Sequence, residues 1–310
     1  MKYQFILILF VCSIFSHAQE KQFNTENLSI TELIDGTLLT PLNTTNPNLA
    51  IIIGGSGPTD RDGNQNFLKN NSLKKLAQQL TLNNIATFRY DKRIVKQIKN
   101  NTIDKSIKFD DFISDAEDVL DFFKSKNTFN NIYIIGHSQG SLIGMIISKD
   151  KADGYISISG PGEPIDQIIL EQLSTNAPIY LEDSKKVFAI LKTGETTTDF
   201  PTVLASIFNL DVQPFISNWM TYNPQDEIKK LNIPILIING TNDIQVKVED
   251  AKKLKAAAPK ATMKLIKNMN HIFVTIEGEG IENSKSYNEP ERTISPELVT
   301  SIVDFIQNNK

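Results

Sequence analysis

The hydrophobic pattern changes period along this chain, and each change marks an element. Residues 28–34 and 37–39 are rich in strand formers and are split by Asp35-Gly36, a hairpin signal. A polar loop containing Pro47 follows. Residues 49–53 (Leu-Ala-Ile-Ile-Ile) are an unbroken apolar run, the pattern of a strand buried on both faces. The spacing then becomes helical. Leu73, Leu76, Ala77 and Leu80 share one helix face, with Ser72 as the expected N-cap. Residues 85–90 predict the next strand. Residues 109–123 predict a helix with Phe112, Ala116, Val119, Leu120 and Phe123 facing inward. A strand at 132–135, a buried apolar helix continuing to 147 and a strand at 155–159 come next.

Strand and helix alternate from residue 49 onward, which implies an α/β domain with a mostly parallel sheet. The alternation stops at residues 163–231, where helix-like stretches (165–173, 184–191, 203–208) outnumber strand candidates. It resumes with a strand at 233–238, a helix at 248–257 and a short strand at 263–266. Ser295-Pro296-Glu297 opens a last helix, with Pro296 suited to its first turn and Leu298, Val299, Ile302 and Phe305 facing in. The expected organisation is a sheet core from 19–162 and 232–310 with a helical insertion, 163–231, after about the sixth strand. Residues 278–291 are polar and read as a surface loop.

Composition narrows the class. The chain has 310 residues, 22% charged and 40% hydrophobic, a globular balance. The net charge is −4 and no Lys/Arg block stands out, so neither nucleic acid nor an anionic membrane surface is an expected partner. Lys2, an apolar run over residues 5–15 and Ser16-His17-Ala18 have the layout of a secretory signal, with cleavage after Ala18 and Gln19 as the new N-terminus. The run is short for a bilayer span, and no later stretch is longer. The lone cysteine, Cys12, lies inside that signal, and the large residues before it do not suit lipidation. The mature chain then has no disulfide, no cysteine-ligated metal and no thiol nucleophile. Composition says nothing of oligomeric state.

The candidate chemistry centres on Gly136-His137-Ser138-Gln139-Gly140, which joins the strand at 132–135 to the apolar helix. Strand, tight turn and helix with a serine at the apex is the context of a G-x-S-x-G nucleophile elbow. A serine hydroxyl needs a base. Of the three histidines, His17 leaves with the signal and His137 is part of the elbow, its side chain expected to point away, so His271 remains. Asp243 lies just past the strand at 233–238 and is the candidate carboxylate for that histidine; it is also a common turn residue. Glu249 and Asp250 fall in the following helix and are weaker candidates. A tetrahedral oxyanion needs two amide donors. Gln139 N–H, after the nucleophile, is one candidate. Ser56 N–H, in Gly54-Gly55-Ser56-Gly57, is the other, since glycines there let the backbone approach closely. No Gly-Lys-Ser/Thr follows that loop, which argues against a phosphate cradle. Asp60, Asp62 and Asn64 alternate like the start of a calcium loop, but the twelfth position is Asn71 and not glutamate, so an EF-hand is excluded.

Ser138, Asp243 and His271, in that chain order and with the glycine loop, resemble the α/β-hydrolase superfamily over nearly the whole mature chain. The stretch from Gly55 to Asn64 and Arg89-Tyr90-Asp91-Lys92-Arg93 resemble exported bacterial serine esterases and acyl hydrolases related to the serine aminopeptidase-like hydrolases. The resemblance implies an α/β-hydrolase fold with an eight-stranded, mostly parallel sheet, a helical lid, no cofactor or metal, and hydrolysis of carboxylic esters. Two departures stand out. Gly54-Gly55 replaces the His-Gly of many relatives, and Ile94 replaces the glycine that usually follows the Arg93 motif. The resemblance also suggests ion pairs beneath the site, Arg61 with Asp91, or Asp60 with Arg89 or Arg93. In the lid, Phe208, Phe215, Trp219, Met220 and Tyr222 are either pocket lining or the lid's own core; Phe215, Trp219 and Tyr222 are the substrate-binding candidates. Glu163, Asp166 and Glu171 are either an ammonium site, as an aminopeptidase needs, or a solvated face. The expected function is a secreted serine hydrolase of small acyl esters acting through an acyl-enzyme. The alternatives are an aminopeptidase or amidase with the same triad, or a non-catalytic binding protein on this scaffold. Epoxide and haloalkane chemistry needs a carboxylate nucleophile, and cysteine-based dienelactone chemistry needs a thiol; neither group is at the elbow.

Overall fold

The computed structural model describes residues 22–278 and 280–309; the expected signal segment, with Cys12 and the cleavage point after Ala18, lies outside them. Two antiparallel strands open the chain, β1 (Phe23–Ser29) and β2 (Asp35–Pro41). The alternating region runs β3 (Leu49–Ile53), α1 (Ser72–Leu82), β4 (Ala86–Tyr90), α2 (Arg93–Asn100), α3 (Phe109–Lys126), β5 (Ile132–His137), α4 (Gln139–Ser148) and β6 (Gly154–Ile158). Five helices follow without a strand: α5 (Ile165–Asn176), α6 (Leu181–Leu191), α7 (Ala205–Phe208), α8 (Gln213–Trp219) and α9 (Pro224–Lys229). The chain ends β7 (Ile235–Gly240), α10 (Val248–Ala257), β8 (Thr262–Ile266), α11 (Gly280–Ser286) and α12 (Pro296–Asn308).

The strands form one eight-stranded sheet in the order β1-β2-β4-β3-β5-β6-β7-β8. β2 meets β4 antiparallel; every pairing from β4 through β8 is parallel. Alternate residues of the central strands feed two cores. Leu49, Ile51 and Ile53 of β3 pack with Phe112, Val119 and Leu142 on the α3 and α4 side. Ala50 and Ile52 pack with Leu73, Leu76, Leu298 and Ile302 on the α1 and α12 side. A strand with apolar neighbours on both faces has no polar alternation, which is why these runs read as continuous. The chain reverses direction of winding around β3 and β5, so the loops leaving the C-terminal ends of β3, β5, β7 and β8 gather along one edge, where sheets of this type place their ligands.

Three local expectations need correction. The first hairpin turns at residues 30–34, not at Asp35-Gly36: Thr31 Oγ1 accepts the amides of Leu33 and Ile34, and Gly36 sits inside β2 opposite Leu28. A Cβ on Gly36 would come within 2.1 Å of the Phe88 ring, so the glycine serves packing and not the turn. The cap of α1 is Asn71, at φ 55°, and not Ser72, which is already helical. The first-turn amides are met from the preceding loop instead: Ser72 N–H donates to Asn70 Oδ1 and Lys74 N–H to the Asp62 carbonyl, while Asn64 Oδ1 holds the loop by accepting the amides of Asn70 and Asn71. Finally, the polar stretch 278–291 contains α11, and Asn283, Ser286 and Tyr287 are buried.

Candidate active site

Ser138 occupies the turn between β5 and α4 at φ 55°, ψ −120°, outside the regions an L-residue ordinarily adopts. The flanking glycines make that turn possible. A Cβ on Gly136 would lie 2.3 Å from the Gly140 carbonyl oxygen, and one on Gly140 would lie 2.3 Å from the Ile53 oxygen of β3. The elbow is therefore pressed against both the start of its own helix and the neighbouring strand. Ser138 opens onto a cavity of about 190 Å3 shared with Ser56, His137 and His271.

His271 follows β8 in a turn at the same sheet edge. Its Nδ1 is 2.8 Å from Asp243 Oδ2. Asp243 lies three residues past β7, its side chain fully enclosed, and Oδ1 accepts the amides of Gln245 (2.8 Å) and Val246 (2.9 Å). Burial alone would raise this carboxyl; the His271 charge and the three donated hydrogen bonds outweigh it and hold the pKa below the ordinary aspartate value. Asp243 is thus an ionised acceptor aimed at Nδ1, which leaves His271 Nε2 free for the cavity. Among the described residues no hydrogen bond reaches Ser138 Oγ, so the structure joins Asp243 to His271 and leaves Ser138 Oγ facing the cavity. Glu249 and Asp250 lie on α10; Asp250 caps its own helix and accepts Gly162 N–H.

The elbow histidine is not idle. His137 is 7% exposed, and its Nε2 lies 2.9 Å from the His271 carbonyl oxygen. A carbonyl only accepts, so Nε2 carries the proton and the ring is fixed as one tautomer. Its ring also sits edge-on to Phe273, with centroids 4.8 Å apart. Burial, and next the neighbouring His271, pull its pKa down to about 3. A neutral His137 therefore buttresses the backbone that carries His271.

The two amide candidates sit on either side of the serine. Gly55 packs on Ser138: an added Cβ would lie 3.3 Å from Ser138 Cβ. Ser56 N–H follows immediately, and Gln139 N–H is the first amide of α4, with no intrahelical acceptor. Lys92, part of the Arg89–Arg93 stretch but given no role by the sequence, ties the two segments together: Nζ donates to the Gly55 oxygen (3.0 Å) and to Gln139 Oε1.

Ion pairs brace the loop beyond. Arg61 pairs with Asp91 (2.6 Å), as expected. Arg89 pairs with Asp62 and not Asp60, and Arg93 pairs with Asp111 and Asp115 on α3. Asp60 instead accepts the amides of Asp62 and Asn64, closing the loop on itself. Ile94 lies within α2, a helix absent from the sequence reading because its apolar positions are sparse.

Phe215, Trp219 and Tyr222 do not line the cavity. Trp219 stacks on Phe109 at 5.2 Å, Phe215 meets Phe112, and the Tyr222 hydroxyl donates to Asp110. Phe208 is fully buried against Phe188. Phe215, Trp219 and Tyr222 fix the segment around α8 to α3, while Phe208 ties α7 to α6. The cavity walls come from elsewhere: Gln65, Leu68 and Asn70 from the loop before α1, and Gln245, Ile272 and Tyr287 from the other side. Nothing in the residue pattern of 64–70 or 278–291 signalled this, because a polar loop looks the same whether it faces solvent or a site. A larger groove, about 550 Å3, lies at the opposite edge of the sheet around Pro234 and Pro259 and contains no nucleophile or base of the set. Among the described residues no cluster of three or more His, Cys, Asp or Glu side chains has the arrangement to hold a metal, and no described helix is long and apolar enough to cross a membrane.

An eight-stranded sheet with a strained serine elbow after β5, a carboxylate after β7 and a histidine after β8 is the α/β-hydrolase arrangement, and the chain has the α/β-hydrolase fold. Solved structures with this fold superpose along nearly the full chain. Est1E from Butyrivibrio proteoclasticus matches 92% of this chain and 98% of its own, with TM-score 0.59 and 17% identity. An esterase from Pyrococcus furiosus matches 92% and 90%, with TM-score 0.53 and 14% identity. In sequence, the chain is 27% identical to esterase EstD of Thermotoga maritima over 241 residues, which is 74% of this chain and 55% of that protein. The chain thus spans about half the length of this curated relative. No family model matches the sequence.

Proposed function

We propose that this protein is a serine hydrolase of small carboxylic esters. The observation that carries this is the enclosed Asp243–His271 pair at 2.8 Å, opening on the same cavity as a serine held on a strained elbow. Ser138 Oγ attacks the ester carbonyl carbon while His271 Nε2 takes its proton. Asp243 keeps the proton on Nδ1 beforehand and stabilises the imidazolium afterwards. The amides of Ser56 and Gln139 bind the oxyanion. Collapse of the tetrahedral species expels the alcohol, protonated by His271, and leaves an acyl-enzyme. Water, activated by the same histidine, hydrolyses it. The similarity to esterase EstD supports the ester as the bond cleaved.

The small cavity, with Gln65, Asn70, Gln245 and Tyr287 on its walls, suits a short acyl ester of a polar alcohol better than a long-chain lipid. Aminopeptidase action needs a free carboxylate for the substrate ammonium. Each candidate is instead taken by a lysine: Glu163 by Lys253, Asp166 by Lys192 and Glu171 by Lys247, at 2.6–2.7 Å. We assign residues 163–231 as the lid insertion and residues 1–18 as a cleaved export signal, which N-terminal sequencing of the exported protein tests. For the chemistry, Ser138→Ala should lower turnover of p-nitrophenyl acetate by several orders of magnitude and abolish labelling by a fluorophosphonate probe. Near-wild-type turnover would overturn the assignment. Turnover across p-nitrophenyl esters of rising chain length should peak at the short end, and amino-acid anilides should be poor substrates.

A further inference from the structure

Lys92 has an unusual position for an ammonium group. It is 4% exposed, it donates to the Gly55 carbonyl oxygen and to Gln139 Oε1, and Nζ sits 4.3 Å from the centre of the Phe112 ring. All three partners are uncharged. The carboxylate that acts on it from α3, Asp115, is already held by Arg93 at 2.7 and 2.9 Å. Enclosing a cation without a dedicated counter-ion is costly, and burial draws the Lys92 pKa down to about 7. An apolar side chain of the same length would remove that cost but leave the Gly55 carbonyl and Gln139 Oε1 without a donor, so the two effects on stability oppose each other.

What the ammonium touches explains its presence. The Gly55 carbonyl and the Ser56 N–H belong to one peptide unit. Gln139 carries the other amide on its own backbone. One group therefore grips both loops that border the serine, within the strand-to-helix connection that leads from β4 to α2. A hydrogen bond to the carbonyl oxygen, strongest while the amine is protonated, draws electron density through the peptide and makes its N–H a stronger donor. We propose that Lys92 is a positioning residue for the oxyanion hole, setting the separation of the Ser56 and Gln139 amides and strengthening the first. The proposal rests on the acyl-transfer chemistry above, in which those amides bind the oxyanion.

Such a residue acts on the transition state and not on the ester ground state. Removing an oxyanion donor outright costs about 10²–10³ in kcat; loosening two should cost roughly 10- to 100-fold. The test uses the full mature chain. Lys92→Met should lower kcat by that factor with KM within about twofold, weaken inhibition by a trifluoromethyl ketone (which forms a tetrahedral adduct on serine) by a similar factor, and shift the melting temperature by no more than a few degrees, since the relieved charge offsets the two unpaired acceptors. Gln139→Met keeps the amide but cuts one arm of the clamp, and should give a smaller fall of the same kind; it serves if Lys92→Met does not fold. Unchanged kcat in the folded variant, or a rise in KM alone, would overturn the proposal. Ser138→Ala run alongside separates the two levels: if it stays active the acyl-transfer chemistry fails, whereas an inactive Ser138→Ala with a fully active Lys92→Met removes only the role of Lys92.

Discussion

The buried elbow histidine should make this protein sensitive to mild acid. His137 is neutral in the folded state, with a pKa of about 3, while an unfolded histidine titrates near 6.5. Its folded pKa is depressed, so below 6.5 the unfolded chain binds a proton that the folded one refuses, and stability falls as pH falls. Between pH 7 and pH 5 the loss is 1.36 kcal/mol per pH unit over about one and a half units, or about 2 kcal/mol. That is a large share of a typical total of roughly 5–15 kcal/mol. The loss continues until about pH 3, where the folded ring finally protonates and adds a charge beside His271. The partner to test against is His137→Gln, whose amide N–H can reach the His271 carbonyl but does not titrate. Urea unfolding at pH 7 and pH 5, followed by the fluorescence of the sole tryptophan, Trp219, gives the comparison. At pH 7 the variant should be the less stable, having lost the ring's packing on Phe273. Its drop between the two pH values should be smaller than the wild-type drop by about 2 kcal/mol. Equal drops in the two proteins would show that His137 titrates as an ordinary histidine and would refute the reasoning.

Asp243→Asn should lower kcat for a short ester by about 10⁴-fold while the protein stays folded. The amides of Gln245 and Val246 fix which end of the new amide is the oxygen, so its NH2 must face His271 Nδ1. The ring then carries its proton on Nε2 and has no lone pair for Ser138. A variant that keeps more than a tenth of wild-type kcat would contradict this geometry. Gly140→Ala places a methyl 2.3 Å from the Ile53 oxygen and 2.6 Å from the Gly54 oxygen, both backbone atoms. It should destabilise by about 3 kcal/mol in urea unfolding and remove activity through displacement of the elbow; a change under about 1 kcal/mol would show that the turn yields freely.

The fold and the polar triad candidates were readable because their constraints are local. A five-residue, isoleucine-rich run such as Leu49–Ile53 is too short for a helix and fits a strand covered on both sides, and the paired glycines around Ser138 have few uses besides a crowded turn. Asp243 and His271 were found by position after strands and by the shortage of histidines, and both lie at the sheet edge that the topology dictates. Ser72 failed as a cap for a different reason. The first-turn amides of Ser72 and Lys74 go to Asn70 Oδ1 and the Asp62 carbonyl, in a loop whose shape the local residue pattern does not reveal. The hairpin failed because Gly36 was read as a turn residue, whereas its lack of a side chain is demanded by Phe88 on another strand.

The same distinction decides between the two readings of the aromatics. Phe215, Trp219 and Tyr222 attracted attention because aromatic clusters suggest apolar substrates, yet aromatic rings bury the most surface wherever they sit, and here they find one another and Phe109. Once they are satisfied by α3, what remains around Ser138 is polar: side chains such as Gln65 and Gln245 held by their own hydrogen bonds to Ser56, Thr59 and Tyr287. Tyr287 reaches the site because α11 is pinned through its two buried side chains, Asn270 Nδ2 donating to both Asn283 and Ser286 at 2.9 Å. The helices between β6 and β7 therefore owe their aromatics to their attachment, and on the proposed ester chemistry selectivity among substrates falls to residues 65–70 and to Gln245, Ile272 and Tyr287. Exchanging Gln245 or Tyr287 should shift the preference among esters of polar and apolar alcohols, whereas exchanging Trp219 should act first on stability.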